Sequence, residues 1–472
     1  MPVQIQHAVD QHHATPQGAG KRMYVKSYGC QMNVYDGLRM AELMQPLGYT
    51  LQETPEGADL ILLNTCHIRE KADEKVFSDI GRMQKVAADQ AIIGVGGCVG
   101  QAMGARIMQR APAVSVVFGP QTYHRLPALI EKVEAGREQR LMGHKNAPIR
   151  ATDTEFPELE KFDSLPQTSS YGPSAFVTIQ EGCDKFCTYC VVPYTRGAEI
   201  SRPVQSILDE CRHLADNGTR EVVLLGQNVN AYHGEDATGT EWTLAQLCAA
   251  IAQIDGIERI RFTTSHPMNT TPDLIEAFAT QPKLMPYFHL PVQAGSNKIL
   301  RAMNRSHTAE QYLQIVEAVK QARPDIAMSG DFIVGFPGET EDDFNATLAI
   351  AHTTGYASCY SFAYSPRPGT PGADMPDQIA EAVKKERLAG LQALLSQLQA
   401  DFNARFAGGT LPILVEELNE QGQLRGRSPH NVAVNFSTQA AHPRALIGQI
   451  VDVHISSARP KSLLGEMLSY HE

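Results

Sequence analysis

Across residues 21–130, short apolar runs alternate with longer, polar-rich stretches. Met23–Tyr28, Asp59–Thr65, Ala91–Gly97 and Val114–Phe118 read as strands. The second is apolar almost throughout, as a strand covered on both faces must be. Asp36–Gly48 and the charged stretch Glu70–Asp89 read as helices. Strand–helix alternation of this kind predicts an open parallel sheet over residues 21–135.

The pattern then breaks. Residues 136–168 carry charge and proline-rich pieces such as Glu155-Phe156-Pro157 and read as a linker. Strand-like runs resume at Ala175–Gln180, Glu221–Gln227, Arg259–Thr264, Tyr287–Val292, Ala327–Phe336 and Tyr356–Tyr364, with helical stretches between them. Six strand–helix units are fewer than the eight that close a barrel. Residues 169–403 are therefore expected to form a partial, open (β/α)6 barrel. Asp377–Phe406 reads as one long amphipathic helix. Beyond Gly408-Gly409 the apolar period falls to two, at Leu411, Ile413 and Val415 and again at Val451, Val453 and Ile455. Residues 404–470 thus predict a small all-β barrel of about five strands.

Composition narrows the class. A chain of 472 residues is too long for one ordinary core. No apolar run approaches the ~18–20 residues that span a bilayer. Residues 1–20 lack Lys, Arg and an apolar segment, so they read as a disordered tail rather than a signal peptide. The net charge of −11 argues against bulk electrostatic binding of nucleic acid but leaves room for a local basic surface. Nine cysteines without an export signal fit a reducing cytoplasm with metal-bound thiolates better than a disulfide framework.

Three of those cysteines, Cys183, Cys187 and Cys190, form a C-x3-C-x2-C run directly after the first strand of the expected half-barrel. Three thiolates so spaced can hold three irons of a 4Fe–4S cluster and leave the fourth open to a small molecule. S-adenosylmethionine is the expected guest, since its amino and carboxylate groups chelate iron and its sulfonium can be reduced. Zinc is the alternative, but structural zinc closes a four-ligand shell with paired elements, and no second pair lies within reach in sequence. Cys30, Cys66 and Cys98 each follow one of the first three predicted strands. Ligand crevices of open parallel sheets lie at the carboxyl ends of strands, so these three would converge on a second open cluster. Three separate buried thiols are the alternative. Cys211, Cys248 and Cys359 fall inside helices or a strand and read as core.

Particular stretches resemble the radical S-adenosylmethionine methylthiotransferases, and among them the branch acting on N6-isopentenyladenosine in tRNA. They are Tyr28-Gly-Cys-Gln-Met-Asn33, Ala58 through Cys66, Gly182 through Gly197, Leu225 through Tyr232, Thr263-Thr-Ser-His-Pro267, Phe288 through Gln293 and Asp331 through Thr340. The resemblance implies an N-terminal methylthiotransferase domain, a radical core and a C-terminal TRAM module. It implies two 4Fe–4S clusters, with S-adenosylmethionine as both radical source and methyl donor. The implied substrate is the prenylated adenosine just 3′ of the anticodon, methylthiolated at C2. A radical suits that strong C–H bond, which no general base removes near neutral pH. Implied partners are the tRNA anticodon arm, an electron donor such as flavodoxin or ferredoxin, and a sulfur donor, with no membrane. Gly37 and His67 depart from the pattern, in which Ser and a small residue are expected.

No catalytic residue is expected beyond the cluster ligands. Tyr189 would wall the cofactor adenine, with Gln227, Asn228, Gly335 and Glu339 shaping its pocket. Arg196, Arg202, His266 and Arg367, near predicted rim loops, would contact substrate; Arg suits phosphate or carboxylate. A sister methylthiotransferase, acting on threonylcarbamoyl-adenosine or on a ribosomal-protein aspartate, is the near alternative. A non-catalytic iron–sulfur RNA-binding protein is the distant one.

Overall fold

The computed structural model describes residues 20–66, 72–156, 165–166, 168 and 172–468. The tail expected over 1–20 lies outside these residues apart from Gly20, as do His67 and part of the expected linker. The chain forms two compact units. The first comprises residues up to 170 together with 181–183 and 191–200, and the second takes the remainder.

In the first unit, strands β1 (Lys21–Ser27), β2 (Tyr49–Leu51), β3 (Leu60–Thr65), β4 (Ile92–Gly96), β5 (Val114–Phe118) and β6 (Ala151–Asp153) form one sheet in the order β2-β1-β3-β4-β5-β6. Every pairing is parallel. Helices α1 (Gln31–Met44), α2 (Ala72–Val86), α3 (Gly97–Met103), α4 (Arg106–Arg110) and α5 (Leu126–Leu141) connect them. Strands β3, β4 and β5 are buried at every position, which explains their continuous apolar sequence. Two apolar clusters, one built on Met23, Leu62 and Phe118 and the other on Ile61, Leu63 and Val95, flank the sheet.

The expected linker boundary is corrected here. Helix α5 runs to Leu141 and β6 joins the sheet edge, so this domain continues well past residue 135. The edge strands β2 and β6 have three residues each, too few for an apolar pattern to register in sequence.

In the second unit, β7 (Ser174–Thr178), β8 (Glu221–Leu225), β9 (Arg259–Thr263), β10 (Tyr287–His289), β11 (Ala327–Val334) and β12 (Ser358–Ala363) make two three-stranded parallel ladders, β9-β8-β7 and β10-β11-β12. A bridge from Ile260 to Leu284 joins the ladders into the half-barrel. Alternate side chains, among them Val222, Leu224, Ile260, Phe262, Phe288, Met328 and Phe332, pack into the apolar layer beneath the surrounding helices. The intervening positions face the inside of the half-barrel. Capping boxes at Thr243/Gln246, Thr308/Gln311 and Thr340/Asp343 start three of those helices. The long helix Glu381–Ala404 follows.

The chain ends in a closed barrel of β13 (Thr410–Leu418), β14 (Leu424–Arg427), β15 (Ala433–Ser437), β16 (Ile450–Arg459) and β17 (Ser462–Met467), filled by Ile413, Val415, Phe436, Val453 and Leu463. Arg259 and Arg261, on β9, clamp it. Arg259 donates to the carbonyls of Arg427 and Pro412, and Arg261 to those of Ser428 and Pro429. Glu221 neutralises Arg261 at 2.8 Å. Among the described residues no helix is long and apolar enough to cross a membrane.

Candidate iron–sulfur and cofactor sites

The strand order of the first sheet reverses between β1 and β3, and ligands bind where such a reversal opens a crevice at strand carboxyl ends. Cys30 follows β1 and Cys66 follows β3, one on each side of that point, while Cys98 opens α3 after β4. The backbone is shaped to admit them. Gly29 has φ +95° and packs so tightly that a Cβ there would lie 2.4 Å from the Cys66 Cβ and 2.5 Å from its Sγ. Gly97, with φ +82°, has Thr65 O 2.3 Å from where a Cβ would sit.

Asn33 staples the ends together. Its Nδ2 donates to the carbonyls of Tyr28 (2.8 Å) and Thr65 (3.0 Å). Its Oδ1 accepts from Arg196 at 3.1 Å and lies 3.6 Å from the Cys30 Sγ. Burial pushes the Cys30 thiol pKa up, and the Arg196 guanidinium opposes that.

Arg196 is the residue that sequence reasoning placed wrongly. It was expected at a rim, reaching for substrate. Instead it is buried (3% exposed) and donates to the fully buried Asp36 at 2.7 Å. Glu181 lies 3.6 Å from its other terminal nitrogen. Gln121 ties the same knot by donating to Glu181 Oε2 and to the Arg196 carbonyl. Arg202 is likewise buried, donating to Thr178 O and pairing with Glu210, both at 2.7 Å. Neither guanidinium is free to meet a phosphate.

In the second unit, the loop carrying Cys187 and Cys190 is held from residues 302–305. Thr188 bonds the carbonyls of Met303 and Ala302, and Asn304 donates to those of Lys185 and Phe186. Arg305, which the sequence did not single out, reaches the Cys187 Sγ at 3.6 Å and donates to Pro291 O. Cys183 belongs to the first unit, where its N–H bonds Gly197 O. Among the described residues no Cys, His, Asp and Glu set is drawn onto a single point as one metal ion requires. A cubane asks for something different, since each thiolate takes a separate iron and the sulfurs stand apart. In the first unit the triplet Cys30, Cys66 and Cys98, with Gly29 and Gly97 admitting close approach, fits that demand.

Tyr189 packs half-buried against Ala294, Met303, Phe336 and Tyr364. The backbone N–H groups of Gln227 and Asn228 both donate to Gln180 Oε1, which fixes the turn after β8. Gly335, at φ +71°, donates to Glu339, whose carboxylate pairs with the buried Arg387 at 2.8 Å. Glu339 therefore braces the loop after β11. His266 is buried; its Nδ1 accepts from Met268 N, and its ring meets His307 edge-on. Burial, followed by the Arg305 charge, pushes the His266 pKa down to about 2. Arg367 stays half-exposed beyond β12.

A half-barrel with a three-cysteine loop after its first strand, a parallel sheet with a cysteine at each of three strand ends, and a closed five-stranded barrel together define a radical S-adenosylmethionine enzyme with two accessory modules. Comparisons agree module by module. The radical SAM superfamily profile matches residues 177–351, that of an uncharacterised protein family, UPF0004, matches 22–119, and the TRAM domain matches 404–468. Proteins named tRNA-2-methylthio-N(6)-dimethylallyladenosine synthase from Maricaulis maris and Jannaschia sp. are 57% and 53% identical over 93% of this chain, covering 95% and 92% of their own lengths. A radical S-adenosylmethionine methyltransferase structure, TsrM from Kitasatospora setae, superposes with a TM-score of 0.53 at 13% identity, over 80% of this chain and 89% of that one, which speaks to fold alone. The chain belongs to the tRNA-2-methylthio-N(6)-dimethylallyladenosine synthase family.

Proposed function

We infer that this protein methylthiolates C2 of N6-dimethylallyladenosine beside the anticodon of tRNA. The carrying observation is the match along nearly the whole chain to synthases of that name, together with the UPF0004, radical SAM and TRAM matches along this chain. Cys30, Cys66 and Cys98 would hold one 4Fe–4S cluster, and Cys183, Cys187 and Cys190 the other. When bound, these clusters supply reductive cleavage of S-adenosylmethionine and a docking position for sulfur.

The chain's own residues prepare the sites. Asn33 and the two glycines fix where the N-terminal thiolates stand, and Arg196 sets a buried positive charge near Cys30 and Cys98. Arg305 and Asn304 hold the Cys187 loop. Tyr189, Gln227 and Asn228 are proposed to line the cofactor pocket, and Arg367 to meet RNA. The terminal barrel is proposed to grip the anticodon arm, whose unpaired bases are cheap to extrude. A flavodoxin- or ferredoxin-like electron donor and a separate sulfur donor complete the reaction, in the cytoplasm.

Anaerobic incubation of cluster-replete protein with reductant and S-adenosylmethionine should yield 5′-deoxyadenosine, and no cleavage would favour a non-catalytic RNA binder. Nucleoside analysis of tRNA from a deletion strain should show the prenylated adenosine without its methylthio group. Loss of a methylthiolated threonylcarbamoyl-adenosine instead would assign the protein to the sister enzymes.

A further inference from the structure

Two aromatic rings stand open inside the half-barrel. Tyr360 and Phe362 on β12 are 60% and 42% exposed, the only exposed large hydrophobic side chains on the six described half-barrel strands. Their direction follows from register. Phe332 pairs with Ser361 and belongs to the apolar layer under the helices, and Cys359 packs against that layer. Tyr360 and Phe362, at the alternate positions, therefore face the interior. Phe362 pairs with Ile333, which packs in the same apolar cluster as Tyr189. Tyr360 pairs with Asp331, whose carboxylate is 29% exposed and lies 3.7 Å from the buried His289 Nε2. An interior whose other apolar side chains, such as Phe176 and Ile333, are at least partly buried thus carries a strip of two open rings with one acceptor beside it, reaching toward the cysteine loop.

We propose that Tyr360 and Phe362 form the subsite that selects a prenylated adenine over plain adenine, with Asp331 holding the base beside them. The assignment rests on the methylthiotransferase function inferred above. Two side chains two residues apart on a strand stand about 7 Å from each other, room for a planar base and a branched apolar tail side by side. Unpaired bases are commonly held by stacking on aromatic rings. Plain and singly alkylated N6 both keep an N–H, and a carboxylate oxygen accepts from such a donor, so Asp331 would hold the base without choosing between the two.

The test is binding without turnover. Cluster-replete full-length protein is titrated anaerobically with synthetic anticodon-stem hairpins carrying either N6-dimethylallyladenosine or plain adenosine at the target position. Wild type should prefer the prenylated hairpin. Tyr360→Ala and Phe362→Ala should each cut that preference roughly tenfold, and Tyr360→Phe should retain it. Asp331→Asn should weaken binding of both hairpins and leave the preference in place. Because both rings are exposed, a folding defect is not expected, and Phe362→Leu serves if one occurs. An unchanged preference in both alanine variants would overturn the proposal. So would a loss of S-adenosylmethionine affinity with the preference intact, since that assigns the rings to the cofactor. Failure of wild type to methylthiolate either hairpin in a parallel turnover assay would instead overturn the functional reading, so the two failures separate.

Discussion

Replacing Arg196 by Met tests whether the charge knot beside Cys30 is structural. The guanidinium donates to Asp36 at 2.7 Å and to Asn33 Oδ1 at 3.1 Å, with Glu181 at 3.6 Å. Asp36 has no exposure and Glu181 almost none. Charge centres about 4 Å apart attract by about 4 kcal/mol at an effective dielectric of about 20. Arg196→Met would strand two buried carboxylates, and breaking a buried pair in this way destabilises by about 3–5 kcal/mol. Adding Asp36→Leu removes one stranded charge, so the double variant should regain stability relative to Arg196→Met.

A chain of several modules does not unfold in two states, so a global melt would blur the effect. Hydrogen exchange of peptides covering residues 31–44, followed through a urea series, reads the first unit directly. The expected coupling between the two substitutions is about 2 kcal/mol or more, near the upper part of the range for contacting residues. A coupling under about 0.5 kcal/mol, the value of an exposed pair, would refute the argument.

Other consequences can be checked alongside. Gly29→Ala places a methyl against Cys66 at a left-handed φ, so anaerobic iron analysis should show loss of iron down to the level of the Cys30/Cys66/Cys98→Ala triple variant. Arg261→Met leaves Glu221 buried beside two carbonyls without their donor, so limited proteolysis should cut faster near residues 405–409. Deleting 407–472 should weaken tRNA binding while S-adenosylmethionine cleavage continues, and unchanged tRNA affinity would remove the proposed role of the barrel. His266 and His307 are held neutral when folded, with pKa values pushed to about 2 and about 3. The unfolded chain protonates both below about pH 6.5, so stability should fall as pH drops through that point, by about 1.4 kcal/mol per pH unit for each histidine. Changing both to Asn should flatten the pH dependence between about pH 5 and 6 of the urea transition read by hydrogen exchange in peptides covering residues 287–319.

What the sequence revealed, and what it hid, divide along a physical line. Strands β3 to β5 and the alternating strands of the terminal barrel were readable because burial on two faces or one writes its own period into the chain. The strand-end positions of Cys30, Cys66 and Cys98 were readable because each directly follows an apolar run. Strands β2 and β6 have three residues each and pair only at one edge, so no period forms. Arg196 could not be placed for a different reason. A lone arginine in a loop reads as exposed, and only the fold brings Asp36, Asn33 and Glu181 around it. Arg305 was passed over on the same ground, although the fold sets it against Cys187.

That asymmetry bears on how the two cysteine sites are held. Ligand identity is local information, whereas ligand position is set by residues far away in sequence. Asn33 reaches Thr65, Thr65 Oγ1 donates to Gly96 O and accepts from Val99 N, and Gly97 closes on Thr65 O. Cys30, Cys66 and Cys98 are thereby tied through one continuous chain of hydrogen bonds across β1, β3 and β4. Each link is buried, so a donor or acceptor left unmatched carries its full desolvation penalty. Thr65→Val keeps the volume and removes both hydroxyl bonds. It should therefore loosen the Cys98 end and lower iron retention under chelator challenge, while the thiol count stays the same. Iron lost at the wild-type rate would mean that the thiolates alone, rather than the network beneath them, set the geometry of the site.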